Sequence, residues 1–189
     1  MAGMTKDDRA HWNRRFSDQP WPTEPSPWLT SNRDLLPPPA TALDVAGGTG
    51  RNALWLAARG WNVTIADVSD VALGFAAARA KELDVPLNTE LVDLSSCRLP
   101  KGPWELVLLF HYLDRTLMAE IEAILTPGGL LVGSMATVAS LERHERPPLP
   151  YLLQAGEFPS LVGDLDLLIY EEGWQNDRCD ARFVASRTT

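Results

Sequence analysis

The stretch Leu43–Asn52, LDVAGGTGRN, constrains this chain more than any other. An apolar strand runs into Gly47, Gly48 and Gly50 and leaves at once into an apolar helix. Glycines at such a bend let backbone N–H groups approach a ligand closely, and a helix that begins there turns its unpaired amides toward the same spot. The flanking chain repeats the alternation. ALDVA (42–46) reads as a buried strand, and 51–59 as a helix stopped by Gly60. WNVTIA (61–66) is a second strand, followed by a helix from Ser69 to about Leu83 with Val71, Phe75 and Ala78 on one face. LNTELV is a weak third strand and WELVLLF (104–110) a strong fourth. Asp114 then caps a helix in which Leu117, Ile121, Ile124 and Leu125 recur at helical spacing, and PGG leads into the strand LLVGSM. Strands alternating with helices imply right-handed βαβ units and a parallel sheet.

The two ends depart from that rhythm. From Thr5 to Ser17 the pattern suits a short helix with Trp12 and Phe16 four apart, then DQPWPTEPSP breaks it, and PWLTSNRDLL forms a second short helix before three prolines. After a polar segment (137–150), DLDLLIYEE and DARFVAS flank Gly173–Asp177 as a hairpin of antiparallel strands. The predicted fold is Rossmann-like α/β: a seven-stranded, mostly parallel sheet with a C-terminal antiparallel hairpin and helices on both faces. Residues 1–40 are expected to form a helical cap of the same domain, and 41–189 its core. GTGRNA (48–53) satisfies the relaxed dinucleotide fingerprint G-x-G-x-x-G/A, which makes an NAD-linked reductase the competing reading. The hairpin ending and the lack of room for a substrate domain disfavour it.

Charge narrows the partners. A net charge of −8 opposes a nucleic-acid polyanion, so a small-molecule substrate is expected. Cys97 and Cys179 are too few for a disulfide scaffold and have no partners at metal-ligand spacing, so no metal site and two reduced thiols are expected. No apolar leader and no membrane-length apolar run are present in the sequence, which points to a cytoplasmic protein with no membrane partner.

LDVAGGTGRNALWLAARGWNVTIADVS resembles the glycine motif, first helix and second strand of the class I S-adenosylmethionine (SAM) dependent methyltransferases. Within them, RNALWLAARGW, FHYLDRTLMAEIEAILTPGGLLV, YLLQAGEF, YEEGW and the early HWNRRF with PSPWL resemble the small tellurite-resistance (TehB-like) branch. One position departs: the first glycine of the family's D-x-G-x-G-x-G is Ala46, and alanine disfavours positive φ, so a slight shift of the loop with retained binding is expected.

The resemblance implies SAM as cofactor and assigns its contacts. Asp44, Ala46, Gly47, Gly48, Gly50 and Asn52 fall on the methionyl end. Asp67 lies 19 residues beyond Gly48, close to the ~20-residue spacing at which a carboxylate reaches a ribose hydroxyl. Val68 would flank the adenine, and Asp93 with Leu94 would meet its amino edge. Phe110 and His111 end the fourth strand, where open α/β sheets place ligands. His111, Tyr112 and Arg115 are the candidates for catalysis or acceptor contact, with Arg115 either paired to Asp114 or offering its fork to an anion. Trp12, Arg15, Phe16, Trp21 and Trp28 are expected in a cover over the cofactor. Arg143, His144 and Arg146, and separately Arg178 and Arg182, are candidates for a cationic wall. Methyl transfer is an in-line displacement that alignment and water exclusion can accelerate, so neither a triad nor a metal is expected. The expected acceptor is a soft or anionic small molecule, a thiol or a tellurite- or selenite-type oxyanion; a SAM-binding regulatory protein without turnover is the remaining alternative.

Overall fold

A computed structural model describes residues 6–94 and 99–188, so Cys97 lies outside the described residues. The first two elements are helices, α1 (Lys6–Asp18) and α2 (Pro27–Ser31), joined to the sheet by a 3-10 turn at Arg33–Leu35. The alternating core follows: β1 (Thr41–Val45), α3 (Arg51–Ala57), β2 (Asn62–Asp67), α4 (Asp70–Glu82), β3 (Asn88–Leu91), β4 (Trp104–Phe110), α5 (Leu117–Ile124) and β5 (Leu125–Ala136). A short α6 (Phe158–Leu161) precedes β6 (Asp166–Gln175) and β7 (Arg178–Ser186).

The strands form one seven-stranded sheet in the order β3-β2-β1-β4-β5-β7-β6, parallel from β3 to β5 and antiparallel where β7 meets β5 and β6. The strands alternate their side chains between two faces, so each face has its own core. Leu43, Val45, Val107, Leu109, Leu131 and Phe183 pack with Leu117, Met118 and Ile121 of α5 and with Phe158. Ala42, Val63, Ile65, Leu106, Leu108 and Val132 pack with Leu29 of α2, Ala53 and Leu56 of α3, and Leu73 and Ala76 of α4. Helices therefore cover both faces, as the apolar runs of β1 and β4 require.

Four local expectations are corrected. The buried face of α4 carries Ala72, Leu73, Ala76 and Ala80, whereas Phe75 is 50% exposed, so the face expected from Val71, Phe75 and Ala78 is the outer one. Asp114 serves the turn before α5: its Oδ1 accepts from the Thr116 amide (2.9 Å) and hydroxyl (2.7 Å), and Thr116 holds the N-cap position. Leu125 opens β5 rather than closing α5, pairing with Trp104 before the register shifts across PGG. The hairpin turns at Asn176–Asp177 alone, because Gly173 still pairs with Asp180.

Candidate functional site

Parallel strands end together, so the loops after β1, β2 and β4 meet at one rim. A crevice of about 70 Å³ opens there, lined by Trp12, Phe16, Ala46, Asp67, Val68, Leu94, His111 and Tyr112. Asp67 is its fixed point. Oδ2 accepts from the Gly48 amide and Oδ1 from the Ser69 amide, each at 2.8 Å, so the carboxylate ties the glycine loop to the start of α4. Burial raises its pKa, while the two amides and that of Val68 pull the other way. Ser69 caps α4, accepting from the Ala72 amide at 3.1 Å, so Asp67 is not needed as the cap.

The glycine loop is shaped by its neighbours. A Cβ on Gly47 would lie 2.7 Å from Asp44 Cγ, a collision that explains the residue choice. A Cβ on Gly48 would meet the Phe16 ring at 3.1 Å, so this ring sits directly on the loop. Ala46 adopts φ 52° despite its methyl group and donates its N–H to the Ala66 carbonyl at 2.8 Å. Asp44 is buried behind the loop, its Oδ2 without a hydrogen-bond partner among the described residues. Burial pushes its pKa up to about 7, against the pull of the Arg51 charge and the Ala53 amide.

At the other end, His111 sits in a left-handed conformation (φ 59°), its amide held by the Ser134 carbonyl at 2.7 Å. Its Nδ1 lies 3.0 Å from an Nη2 of Arg178, whose Nε donates to Asp180 Oδ2 at 3.1 Å. The dense surroundings, although the ring's edge still reaches solvent, and then the Arg178 charge lower the imidazole to about 4. Burial likewise raises the Tyr112 phenol, which stays protonated at neutral pH.

The cover comes from α1. Asn13 donates to Asp70 Oδ1 (2.8 Å) and accepts from the Ser69 hydroxyl (2.7 Å), while Arg9 pairs with Asp70 at 3.0 Å. Trp12, Phe16 and Trp21 pack in series, with ring centroids 5.8 and 4.5 Å apart. Beyond Phe16 lies a larger cleft of about 570 Å³ whose walls include Trp21, Arg51, Phe75 and Arg79; none of Asp44, Asp67 or Asp93 lines it.

Of the expected site residues, Trp12, Ala46, Asp67, Val68, Leu94, His111 and Tyr112 line the crevice. Others do something else. Arg115 forms a fork with Glu157 (Nη2 to Oε2, 2.9 Å), donates to the Pro150 and Leu152 carbonyls, and does not line the crevice. Phe110 shares the face of Leu106 and Leu108 and packs in the core beside α2 to α4, as strand alternation dictates. Asn52 Oδ1 accepts from the Ser26 amide at 2.8 Å, pinning the proline-rich loop. Arg15 lies 5.3 Å from the Trp12 ring and 5.5 Å from that of Trp21. Arg143 stacks on Trp174 at 3.9 Å and His144 approaches the Asp177 carbonyl, so that cluster belongs to the hairpin tip. Arg182 lies over Trp28 and donates to the Gly173 carbonyl. What sequence reasoning missed is the contact between His111 and Arg178; the signal was the predicted antiparallel hairpin, whose last strand must begin at the rim where the parallel strands end. No group of acidic, histidine or cysteine side chains suited to a metal occurs among the described residues.

Residues 42–129 match the family described as a methyltransferase domain. A curated relative, Hemagglutinin 1 of Eikenella corrodens, is 29% identical over 142 residues, 71% of this chain and 46% of the relative, so the chain spans about half of that relative's length. Among solved structures, TehB from Haemophilus influenzae is similar at TM-score 0.71 and 16% identity, over 96% of this chain and 67% of that one. The N-methyltransferase NodS from Bradyrhizobium japonicum, in complex with S-adenosyl-L-homocysteine (SAH), is similar at TM-score 0.71 and 19% identity, over 96% and 98% of the two chains. The glycine loop and central strands thus match a methyltransferase domain, and nearly the whole chain shares its fold with TehB and NodS.

Proposed function

We propose that this protein transfers a methyl group from SAM to a small acceptor whose nucleophilic atom is soft or anionic, a thiol or a tellurite- or selenite-type oxyanion. The observation that carries the reading is Asp67: a buried carboxylate on the crevice floor, braced by two backbone amides and flanked by Val68 and Leu94. Each carboxylate oxygen has a second lone pair, so Asp67 can accept ribose hydroxyls without releasing Gly48 or Ser69. Val68 and Leu94 supply apolar surface for the adenine, with Asp93 at its amino edge. Bound there, SAM supplies an electrophilic methyl group on a sulfonium.

The chain's own residues bind, align and exclude water. Gly47, Gly48 and Gly50 let the loop approach the methionyl end, and Trp12 and Phe16 keep solvent out. The described residues before β1 act as a cap on the core that begins at 41, with Arg15 stiffening it between two indoles. As closed by Phe16, a crevice of about 70 Å³ is well below the ~300 Å³ of ordinary small-molecule pockets, so cofactor entry requires α1 to lift. The sequence resemblance to the tellurite-resistance branch motivates the oxyanion class, and the charge of −8 opposes nucleic acid. No helix among the described residues is long and apolar enough to cross a membrane; we place the protein in the cytoplasm on its cysteine content.

Titration calorimetry tests the cofactor: saturable SAH binding with no response to NAD is expected, and the reverse result restores the reductase reading. Labelled SAM incubated with tellurite, selenite, thiols and small amines tests the reaction. Label in the first three supports it, whereas binding without any methylated product identifies a regulatory SAM-binding protein.

A further inference from the structure

His111 and Arg178 meet from opposite ends of the chain, one in the loop after β4 and the other at the first residue of β7. A guanidinium has five N–H donors and no acceptor. A ring nitrogen 3.0 Å from Arg178 Nη2 therefore has to accept, and a neutral imidazole that accepts at Nδ1 carries its proton on Nε2. We propose that Arg178 is a positioning residue that holds His111 as the neutral Nε2–H form, so that this end of the crevice offers the acceptor a hydrogen-bond donor and no base.

The arrangement around the ring agrees. Asp180 holds the Arg178 Nε at 3.1 Å and fixes the guanidinium, while the Ser134 carbonyl fixes the His111 backbone. The charges acting on the imidazole are those of Arg178 and Asp180 on β7 and Arg51 on α3, two positive and one negative. The dense surroundings come first in lowering the imidazole pKa, and that charge balance, opposing a third positive charge, adds to them.

Resting on the transferase reading, this names the acceptor class. When an acceptor already carries its negative charge, its lone pair forms the new bond to carbon, the carbon–sulfur pair returns to sulfur, and the two charges cancel with no proton left over. A neutral amine or hydroxyl must also lose a proton, and His111 has no lone pair free to take it. The crevice thus suits thiolates and oxyanions, which its N–H donor orients.

Long-range proton–nitrogen NMR of the full chain reads the tautomer without any reaction. The expected result is a protonated Nε2 and a bare Nδ1 for His111 throughout pH 6 to 8; a proton on Nδ1, or an imidazolium near neutrality, overturns the proposal. In Arg178→Met, shown to be folded by its melting curve, the imidazole pKa should rise part of the way toward the usual ~6.5. Arg178→Lys, which keeps a charge and a donor, should restore the wild-type tautomer; an unchanged spectrum in the methionine variant is the contrary outcome. With labelled SAM, the methylation rate should follow the ionisation of the thiol acceptor alone, with no histidine inflection. If the NMR result holds but no product forms, the tautomer assignment stands and the transferase reading fails.

Discussion

Ala46 is where this chain's motif and its geometry disagree. The position demands φ 52°, and an alanine there bears the left-handed strain that a glycine avoids. Ala46→Gly should therefore stabilise the protein by about 1 kcal/mol, read as a higher urea midpoint at unchanged slope. Asp67→Ala removes an acceptor from both Gly48 and Ser69, and with it the proposed ribose contact. SAH affinity should fall by about 1–3 kcal/mol, measured by calorimetry, and unchanged affinity would remove Asp67 from the site. Asp67 was legible because strand, loop and helix lengths fix the spacing between a glycine loop and the end of the next strand. His111 and Tyr112 were legible because they follow the end of a strongly apolar strand, whereas Trp12, Val68 and Leu94 came from the family resemblance. Phe110 was not, since a residue at a strand terminus can face either side and only the pleat decides.

Segments far apart in the sequence meet through side chains that no local spacing predicts. Arg115, just before α5, holds Glu157, just before α6, across 42 residues. Arg115→Ala should cost about 1 kcal/mol of stability, because the pair is partly exposed, and leave SAH affinity unchanged; a melting curve and a titration check both halves. Strands β1 and β4 were well read because their apolar runs are buried on both faces. The inner face of α4 was misread, since alanines bury it and the larger Val71 and Phe75 lie outside. Hydrophobic patterning weighs large side chains most heavily, but a helix packed close against a sheet selects small ones.

At the level of the whole molecule, the hidden carboxylate of Asp44 couples folding to pH. Its pKa rises from 3.8 to about 7 on folding, so the native state binds its proton more tightly than the unfolded chain does. The sign follows: the native state is favoured below pH ~4 and loses that advantage as pH climbs to about 7, a swing on the order of 4 kcal/mol. Asp44→Asn abolishes the titration, so its stability relative to wild type should improve progressively across that interval, as followed by urea unfolding at several pH values. A constant difference would show that Asp44 is not responsible. The reversed direction of β7 has a different consequence. Because this strand, alone among the described strands, enters the sheet from the rim where the parallel strands end, the Asn176–Asp177 connector is an address at which loop length and chemistry can change while every parallel strand keeps its partner. Diversification of what the rim accepts has a tolerant place to occur, at the fingertip of the hairpin rather than in the palm of the sheet.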